Sequence, residues 1–223
     1  LPKLALSYQL NQDALLYTSV AKGYQSGGFN FTEFDSTKAR YDPQLTIDYE
    51  LGVKTSFLEN QFYLDLNLFY LDISDAHGRS INALNQITFF NVDKARSYGA
   101  EMDVSWMVSD DWSLNGTFGV NKAQYRTNQF AGKAMANAPE FTSSISLDYE
   151  SYQGWYGQLS YNYRSSHYSD AENTLKIDGY GLVDLHVGYR SNQYQVYLFA
   201  SNLFDEEYLT NYYGLPFSNT AEI

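Results

Sequence analysis

The sequence has no cysteine, only 4 prolines in 223 residues, and no run of apolar residues long enough for a transmembrane helix. Without cysteine, neither a disulfide framework nor thiol chemistry is available. Basic residues are also scarce, since 14 Lys and Arg stand against 26 Asp and Glu, for a formal net charge of −12. Nucleic acid is therefore excluded as a partner, because binding to a phosphate backbone requires a basic surface.

The sequence contains segments in which apolar and polar side chains alternate. In residues 46–57, apolar side chains from Ile47 to Phe57 alternate with small or polar ones from Thr46 to Ser56. A period of two is typical of a β-strand with one wet and one dry face. Residues 62–73 fit less well, because Phe69 and Leu71 share the face of Asp65. We predict ten strands near residues 3–10, 14–24, 45–58, 62–74, 96–108, 112–125, 140–150, 155–166, 180–190 and 194–202.

The predicted connections alternate between short and long. Short turns rich in Asn, Asp, Ser and Gly fall near residues 11–13, 60–61, 109–111, 151–154 and 191–193. Long segments fall near residues 25–44, 75–95, 126–139 and 167–179, with a tail from about 203. Short turns at one rim and long loops at the other are typical of an outer-membrane β-barrel, whose dry face contacts lipid. The alternative from the pattern alone is a soluble β-sandwich, which buries its apolar face.

Aromatic residues make up 17% of the chain, with 22 Tyr, and several lie near predicted strand ends. Trp106 and Trp112 flank one predicted turn, and Tyr149 and Trp155 flank another. Tyr and Trp at these positions are typical of the aromatic belts at membrane–water interfaces. The composition therefore favours the barrel: an all-β, antiparallel, transmembrane fold.

Four strings resemble motifs of the TonB-dependent outer-membrane receptors. They are YTSVAKGYQSGGFN (17–30), YDPQLTIDYELGVK (41–54), SYGAEMDV (97–104) and SNLFDEEY (201–208). The resemblance is to siderophore receptors of the pesticin and yersiniabactin type, with Gln44 where the family commonly has Glu. It implies a barrel of about 22 strands around an N-terminal plug. Residues 1–223 are then expected to be the C-terminal portion of that barrel, without the plug, the first half of the barrel and the closing strand.

The resemblance also implies a function and a location. It implies TonB-dependent uptake of a ferric siderophore, or a similar scarce metal chelate, across the bacterial cell outer membrane. The implied partners are outer-membrane lipid, the ferric chelate and the TonB–ExbB–ExbD complex, the last reached through the missing plug. No cofactor is implied, since the ferric siderophore is the transported ligand. Two alternatives stay open: a passive porin, and a carbohydrate-binding β domain.

The sequence shows no catalytic constellation, and no enzyme activity is expected. His77, His167 and His186 are far apart in sequence, and no metal-spaced set or phosphate-binding loop is present. Binding residues concentrate on loops carried by a rigid scaffold, where rings could pack on a chelate and guanidinium groups could meet its negative charge. The candidates are Tyr24, Phe29, Arg40, Tyr41, His77, Arg79, Phe90, Arg164, His167, Tyr168, Tyr212 and Tyr213. The alternative for each is an interfacial anchor or loop packing.

Overall fold

A computed structural model describes residues 1–31, 38–81 and 86–211, in which ten antiparallel strands form one sheet. Those ten are β1 (Lys3–Gln9), β2 (Ala14–Gln25), β5 (Gln44–Phe57), β6 (Phe62–Ile81), β7 (Ile87–Met107), β8 (Trp112–Tyr125), β9 (Phe141–Glu150), β10 (Trp155–Arg164), β13 (Tyr180–Arg190) and β14 (Gln195–Ala200). The loops add two short hairpins: β3 (Gly28–Phe29) with β4 (Arg40–Tyr41), and β11 (His167–Tyr168) with β12 (Lys176–Ile177). A 3-10 helix spans Asn128–Phe130. Within the described ranges, no helix is long and apolar enough to cross a membrane.

All ten predicted strands are present, and one predicted loop is wrong. We expected a long loop near residues 75–95, but β6 continues to Ile81 and β7 begins at Ile87. Their pairing keeps one register from Phe62 opposite Trp106 to Ile81 opposite Ile87. At the expected start of that loop, Asp75 adopts a φ of 53° in the left-handed region, which Asp tolerates better than most residues. The strand pair nevertheless continues past Asp75, because its inner face packs against two other loops.

The apolar face of the sheet points outward. Leu51 pairs with Leu68, and these side chains are 55% and 50% exposed. Glu50, next in sequence, lies on the opposite face, where it accepts a hydrogen bond from Ser19 Oγ at 2.7 Å. On that same inner face Lys54 pairs with Asp65. The β-sandwich alternative is therefore wrong, since it would require the exposed leucines to be sealed in a core.

Aromatic side chains form two rows on the outer face. On the loop side, the rings of Tyr49, Tyr70 and Tyr98 follow one another at centroid distances of 6.4 Å; we call them the tyrosine row. Near the short turns, the rings pair as Phe57–Phe62 at 6.1 Å, Phe62–Trp106 at 6.5 Å, Trp112–Tyr149 at 4.7 Å and Trp155–Tyr189 at 5.1 Å. An apolar band between two aromatic girdles is the outer surface of a membrane barrel.

The buried core lies on the inner face, at the end of the sheet that carries the long loops. Its members are Ile73, Ala76, Val92, Ala95, Tyr125, Phe130 and Ala171. They come from β6, β7, β8, the 3-10 helix and the loop between β10 and β13. The loops at 126–140 and 165–179 therefore pack onto the inner face and position the candidate site.

Candidate ligand site at the loop rim

Asn30 fixes the β3–β4 hairpin onto β7. Its Nδ2 donates to the backbone oxygens of Phe89, at 2.7 Å, and Lys38, at 3.0 Å. Its Oδ1 accepts a hydrogen bond from the backbone N–H of Phe89 at 2.8 Å. Asn30 is only 7% exposed, so these bonds are shielded from competing water. The hairpin and β7 are thus joined by one side chain.

Asn91 makes the matching connection on the other side of β4. Its Oδ1 accepts from the backbone N–H of Asp42 at 2.7 Å, and its Nδ2 donates to the backbone oxygens of Asp42 and Asp75 at 2.9 and 2.8 Å. His77 adds a contact between Nε2 and the Asp42 oxygen at 2.9 Å, while its backbone N–H donates to Gln44 Oε1 at 2.9 Å. The segment that carries Arg40 and its neighbours is therefore held in register with β6 and β7.

A cavity of about 440 Å³ opens beside these connections. Its aromatic lining residues are Phe89, Phe90 and Phe130, which we call the aromatic wall. Lys38 and Arg40 bring positive charge from the β3–β4 hairpin, and Glu172 brings negative charge from the loop after β11. The cavity can therefore hold a ligand with a flat or apolar part and a net negative part.

Aromatic packing sets the positions of the rings around the cavity. Tyr41 lies edge-on to His77 at a centroid distance of 5.0 Å and contacts Phe89 at 5.5 Å. Phe90 stacks on Phe130 at 5.1 Å. Such contacts limit the rotamers of the rings, so that they present fixed surfaces to a ligand.

Two side chains hold the loop that contributes Glu172. The Asp170 carboxylate, 2% exposed, accepts hydrogen bonds from Thr174 Oγ1 at 2.7 Å and from the Leu175 backbone N–H at 2.8 Å. Asn173 exchanges two bonds with the backbone of Ala134, at 2.8 and 2.9 Å. Through Asn173, the loop after β10 is bound to the loop after β8, and both close over the inner face.

The structure groups some predicted site residues and separates others. Phe29, Arg40, Tyr41, His77 and Phe90 lie together around β3–β4 and the projecting ends of β6 and β7.

Arg79 lies in the same region but is 7% exposed, and its Nη1 donates to Asn211 Oδ1 at 2.8 Å, so it serves the scaffold. Arg164 is the last residue of β10, and His167 and Tyr168 form β11 in the connection between β10 and β13. Tyr24 pairs with Leu45 on the outward rows, as an interfacial anchor does, and Tyr212 and Tyr213 lie outside the described residues.

Sequence reasoning missed Asn30, Asn91 and Asn173. Their role depends on side-chain bonds to backbone groups that are distant in sequence, such as Phe89 for Asn30. The available signal was Asn30 itself, which closes the first family-like string, GGFN. No group of three or more potential metal-ligating side chains occurs in the described part of the chain.

The loop between β10 and β13 is expected to loosen in acid. Burial lowers the pKa of His167, with a hydrogen bond to the Ser165 backbone opposing the shift and the charge of Arg164 adding to it. Between its ordinary pKa of about 6.5 and the lower folded value, only the opened loop takes up a proton. The stability of the closed loop is therefore full above pH of about 6.5 and declines as the pH falls below it.

Amide hydrogen exchange of residues 165–179 in the full-length receptor measures this dependence. We expect protection to fall as the pH drops from about 6.5 to about 5.5, after correction for the intrinsic exchange rate, and to become pH-independent in His167→Gln. Equal pH dependence in the wild type and His167→Gln would contradict it.

The ten-stranded antiparallel sheet, with its apolar outer face and polar inner face, is typical of an outer-membrane β-barrel. The family model described as "TonB dependent receptor-like, beta-barrel" matches residues 1–203. The chain belongs to this family. This membership confirms the family and the outer-membrane location that the four strings predicted. Members of the family are receptors and transporters rather than enzymes.

Individual relatives cover all or nearly all of the chain but are much longer. The chain is 25% identical to the pesticin receptor of Yersinia pestis over its entire length and spans 34% of that protein. It is 23% identical to the metal-pseudopaline receptor CntO of Pseudomonas aeruginosa over 96% of its length, or 30% of that protein. The crystal structure of the ferric yersiniabactin uptake receptor FyuA from Yersinia pestis matches at a TM-score of 0.78 and 25% identity, over 94% of the chain and 33% of FyuA. The chain thus spans about a third of these relatives.

Proposed function

We propose that this chain is part of a receptor that takes up a ferric siderophore or a similar scarce metal chelate. Two relatives are named for such ligands, a ferric yersiniabactin uptake receptor and a metal-pseudopaline receptor. The observation that carries the proposal is the cavity between β3–β4 and the ends of β6 and β7, where Lys38 and Arg40 face an aromatic wall.

In this proposal the contacts divide by chemistry. Phe89, which is 39% exposed, presents its ring to apolar or aromatic parts of the chelate, and Phe90 stacks on Phe130 in the same lining. Arg40 and Lys38 meet its negative charge, Arg40 by a charge-assisted hydrogen bond that a bidentate oxygen pair can accept. Tyr41 and His77 support the wall through their mutual edge-on contact. Arg164 at the end of β10, with His167 and Tyr168 in the loop that follows, is a separate group of candidates for a larger ligand.

We further propose that more strands flank this sheet. β1 and β14 are its two edges, and every residue of β1 is exposed. Unpaired edges are unfavourable in hydrocarbon, where backbone polar groups have no water to bind. Strands from the remaining two thirds of a receptor of the relatives' length would pair with both edges. A plug inside such a barrel would face the polar inner wall and connect it to TonB–ExbB–ExbD.

Chelate binding by the full-length receptor tests the site. Arg40→Ala removes a guanidinium that is ion-paired to Asp42 at 3.1 Å, at the cavity. The transported ferric chelate is first identified by iron-limited growth of a deletion strain on a panel of chelates. We then expect Arg40→Ala to raise the Kd for that chelate about tenfold, which corresponds to the loss of one charge-assisted hydrogen bond.

The matched control is Arg190→Ala. Arg190 is also a partly exposed arginine paired with a carboxylate, Glu150 at 3.6 Å, but it lies beside the short turns. Its loss should leave the Kd unchanged. If growth does not depend on the receptor with any chelate in the panel, the proposal of iron uptake is wrong. If uptake persists after TonB depletion, the passive porin is favoured. If Arg40→Ala and Arg190→Ala change the Kd equally, the chelate does not bind at this cavity.

A further inference from the structure

The outer face carries a concentration of positive charge just beyond the tyrosine row. The residues are Lys94 and Arg96 of β7, Lys122 near the end of β8, and Arg126 directly after β8, which we call the basic strip. The residues that alternate with them are buried on the inner face, with Ala95 and Tyr125 each 1% exposed and Ala123 8% exposed. By the period of a strand, the basic strip therefore points outward.

The pairing register of β7 and β8 places the residues of the strip next to one another. Arg96 pairs with Gln124, and Tyr98, the last ring of the tyrosine row, pairs with Lys122. The Arg96 guanidinium lies 5.3 Å from the Tyr98 ring centroid. Charged groups and the interfacial ring are thus neighbours across two strands, which places the strip at the boundary of the apolar band on the loop side.

No carboxylate in the described part of the chain forms an ion pair with the strip. It holds 4 of the chain's 14 Lys and Arg, although the chain has a formal net charge of −12. None of its cations forms an ion pair with any described residue, whereas Lys3, Arg40, Lys54, Lys176 and Arg190 all do. Lys94 Nζ donates to Ser74 Oγ at 2.7 Å, and Arg96 Nε is buried without a hydrogen-bond partner among the described residues. Asp72, opposite Arg96, and the exposed Asp93, next to Lys94, are neighbouring carboxylates.

We propose that the basic strip binds the phosphate groups of an anionic lipid in the outer leaflet. The strip lies where headgroups meet the barrel, on the side of the long loops, and its charge is complementary to theirs. Arg96 can offer a bidentate pair of N–H donors to a phosphate, while Lys94 and Lys122 act as point charges. The acyl chains of the same lipid would lie along the apolar band below the tyrosine row. This inference does not depend on which chelate the receptor transports.

Lipid binding to the full-length, delipidated receptor tests the proposal. Native mass spectrometry would follow a titration with bis-phosphorylated lipid A for the wild type and for the triple variant R96Q/K122Q/R126Q. We expect the Kd to rise about fivefold for each neutralised cation, or about a hundredfold in the triple variant. A control triple variant, K3Q/K176Q/R190Q, removes the same charge from ion-paired positions outside the strip and should change the Kd by less than about threefold.

Further measurements test whether the lipid phosphates are the groups bound and whether the variants are folded. Dephosphorylated lipid A should bind the wild type as weakly as intact lipid A binds the triple variant, and inorganic phosphate should not displace intact lipid A. Substitution of Arg96 by Lys, which keeps the charge, should retain most of the binding and show that the barrel is intact. Equal affinity of the strip and control variants, equal binding of dephosphorylated lipid A, or displacement by inorganic phosphate would each overturn the proposal.

Discussion

Leu66→Arg is expected to destabilise the barrel by about 2–4 kcal/mol, the cost of a cation at the bilayer midplane. Leu66 pairs with Val53 and Met102 on the outward rows. Along β6 it lies midway between Phe62, near the short turns, and Tyr70 of the tyrosine row. A guanidinium there has only hydrocarbon around it, whereas the native leucine matches the lipid. The measurement is the free energy of unfolding of the full-length receptor from lipid vesicles in guanidinium chloride.

Two control substitutions separate charge from packing and from depth. Leu66→Ala removes the side chain without adding charge, and on a lipid face it should cost much less than Leu66→Arg. Thr117→Arg places the same cation on the inner face, where Thr117 Oγ1 donates to Asp103 Oδ1 at 2.8 Å. That arginine meets a carboxylate rather than lipid, so its cost should be small. If Leu66→Arg were no worse than Thr117→Arg, the assignment of the two faces would be wrong.

The faces and strands were predictable because they depend on a local period. The alternation in residues 46–57 places Leu51 outward, and the structure shows it 55% exposed and paired with Leu68. The same pattern identified the inner face of β13, where Asp184 and His186 alternate with Leu185. Even the irregular part of β6 has a physical explanation, since Ile73 on the inner face belongs to the buried core under the loops.

The loop site was predictable in composition but not in arrangement. Aromatic and arginine residues in loops indicated Arg40, Tyr41 and Phe90, which the structure brings close to one another. Nothing periodic indicates that Asn91 bonds to the backbone of Asp42, or that Asn173 bonds to that of Ala134. These bonds form only after the sheet has brought distant segments together, so the sequence carries no local signal for them.

Asn30→Ala is expected to weaken chelate binding about tenfold, although in our proposal Asn30 holds the hairpin rather than the ligand. The substitution removes the bonds to Phe89 and Lys38 and leaves backbone groups of a nearly buried site unpaired, which costs about 1–3 kcal/mol. The β3–β4 hairpin then no longer holds Arg40 against the aromatic wall. The Kd for the transported chelate measures the loss, and Asn30→Asp, which keeps an acceptor but loses the donor, should fall between wild type and alanine.

A matched asparagine and a double-mutant cycle distinguish positioning from general destabilisation. Asn115 also makes side-chain bonds on the inner face, to Ser105 at 2.7 Å and Asp148 at 3.0 Å, but lies toward the short turns. Asn115→Ala should lower the unfolding free energy by a similar amount and leave the Kd unchanged. In the Asn30→Ala background, Arg40→Ala should cost much less affinity than it does alone, because residues that act together are not additive. Strict additivity would mean that Arg40 keeps its place without Asn30, and that the hairpin is positioned by Asn91 alone.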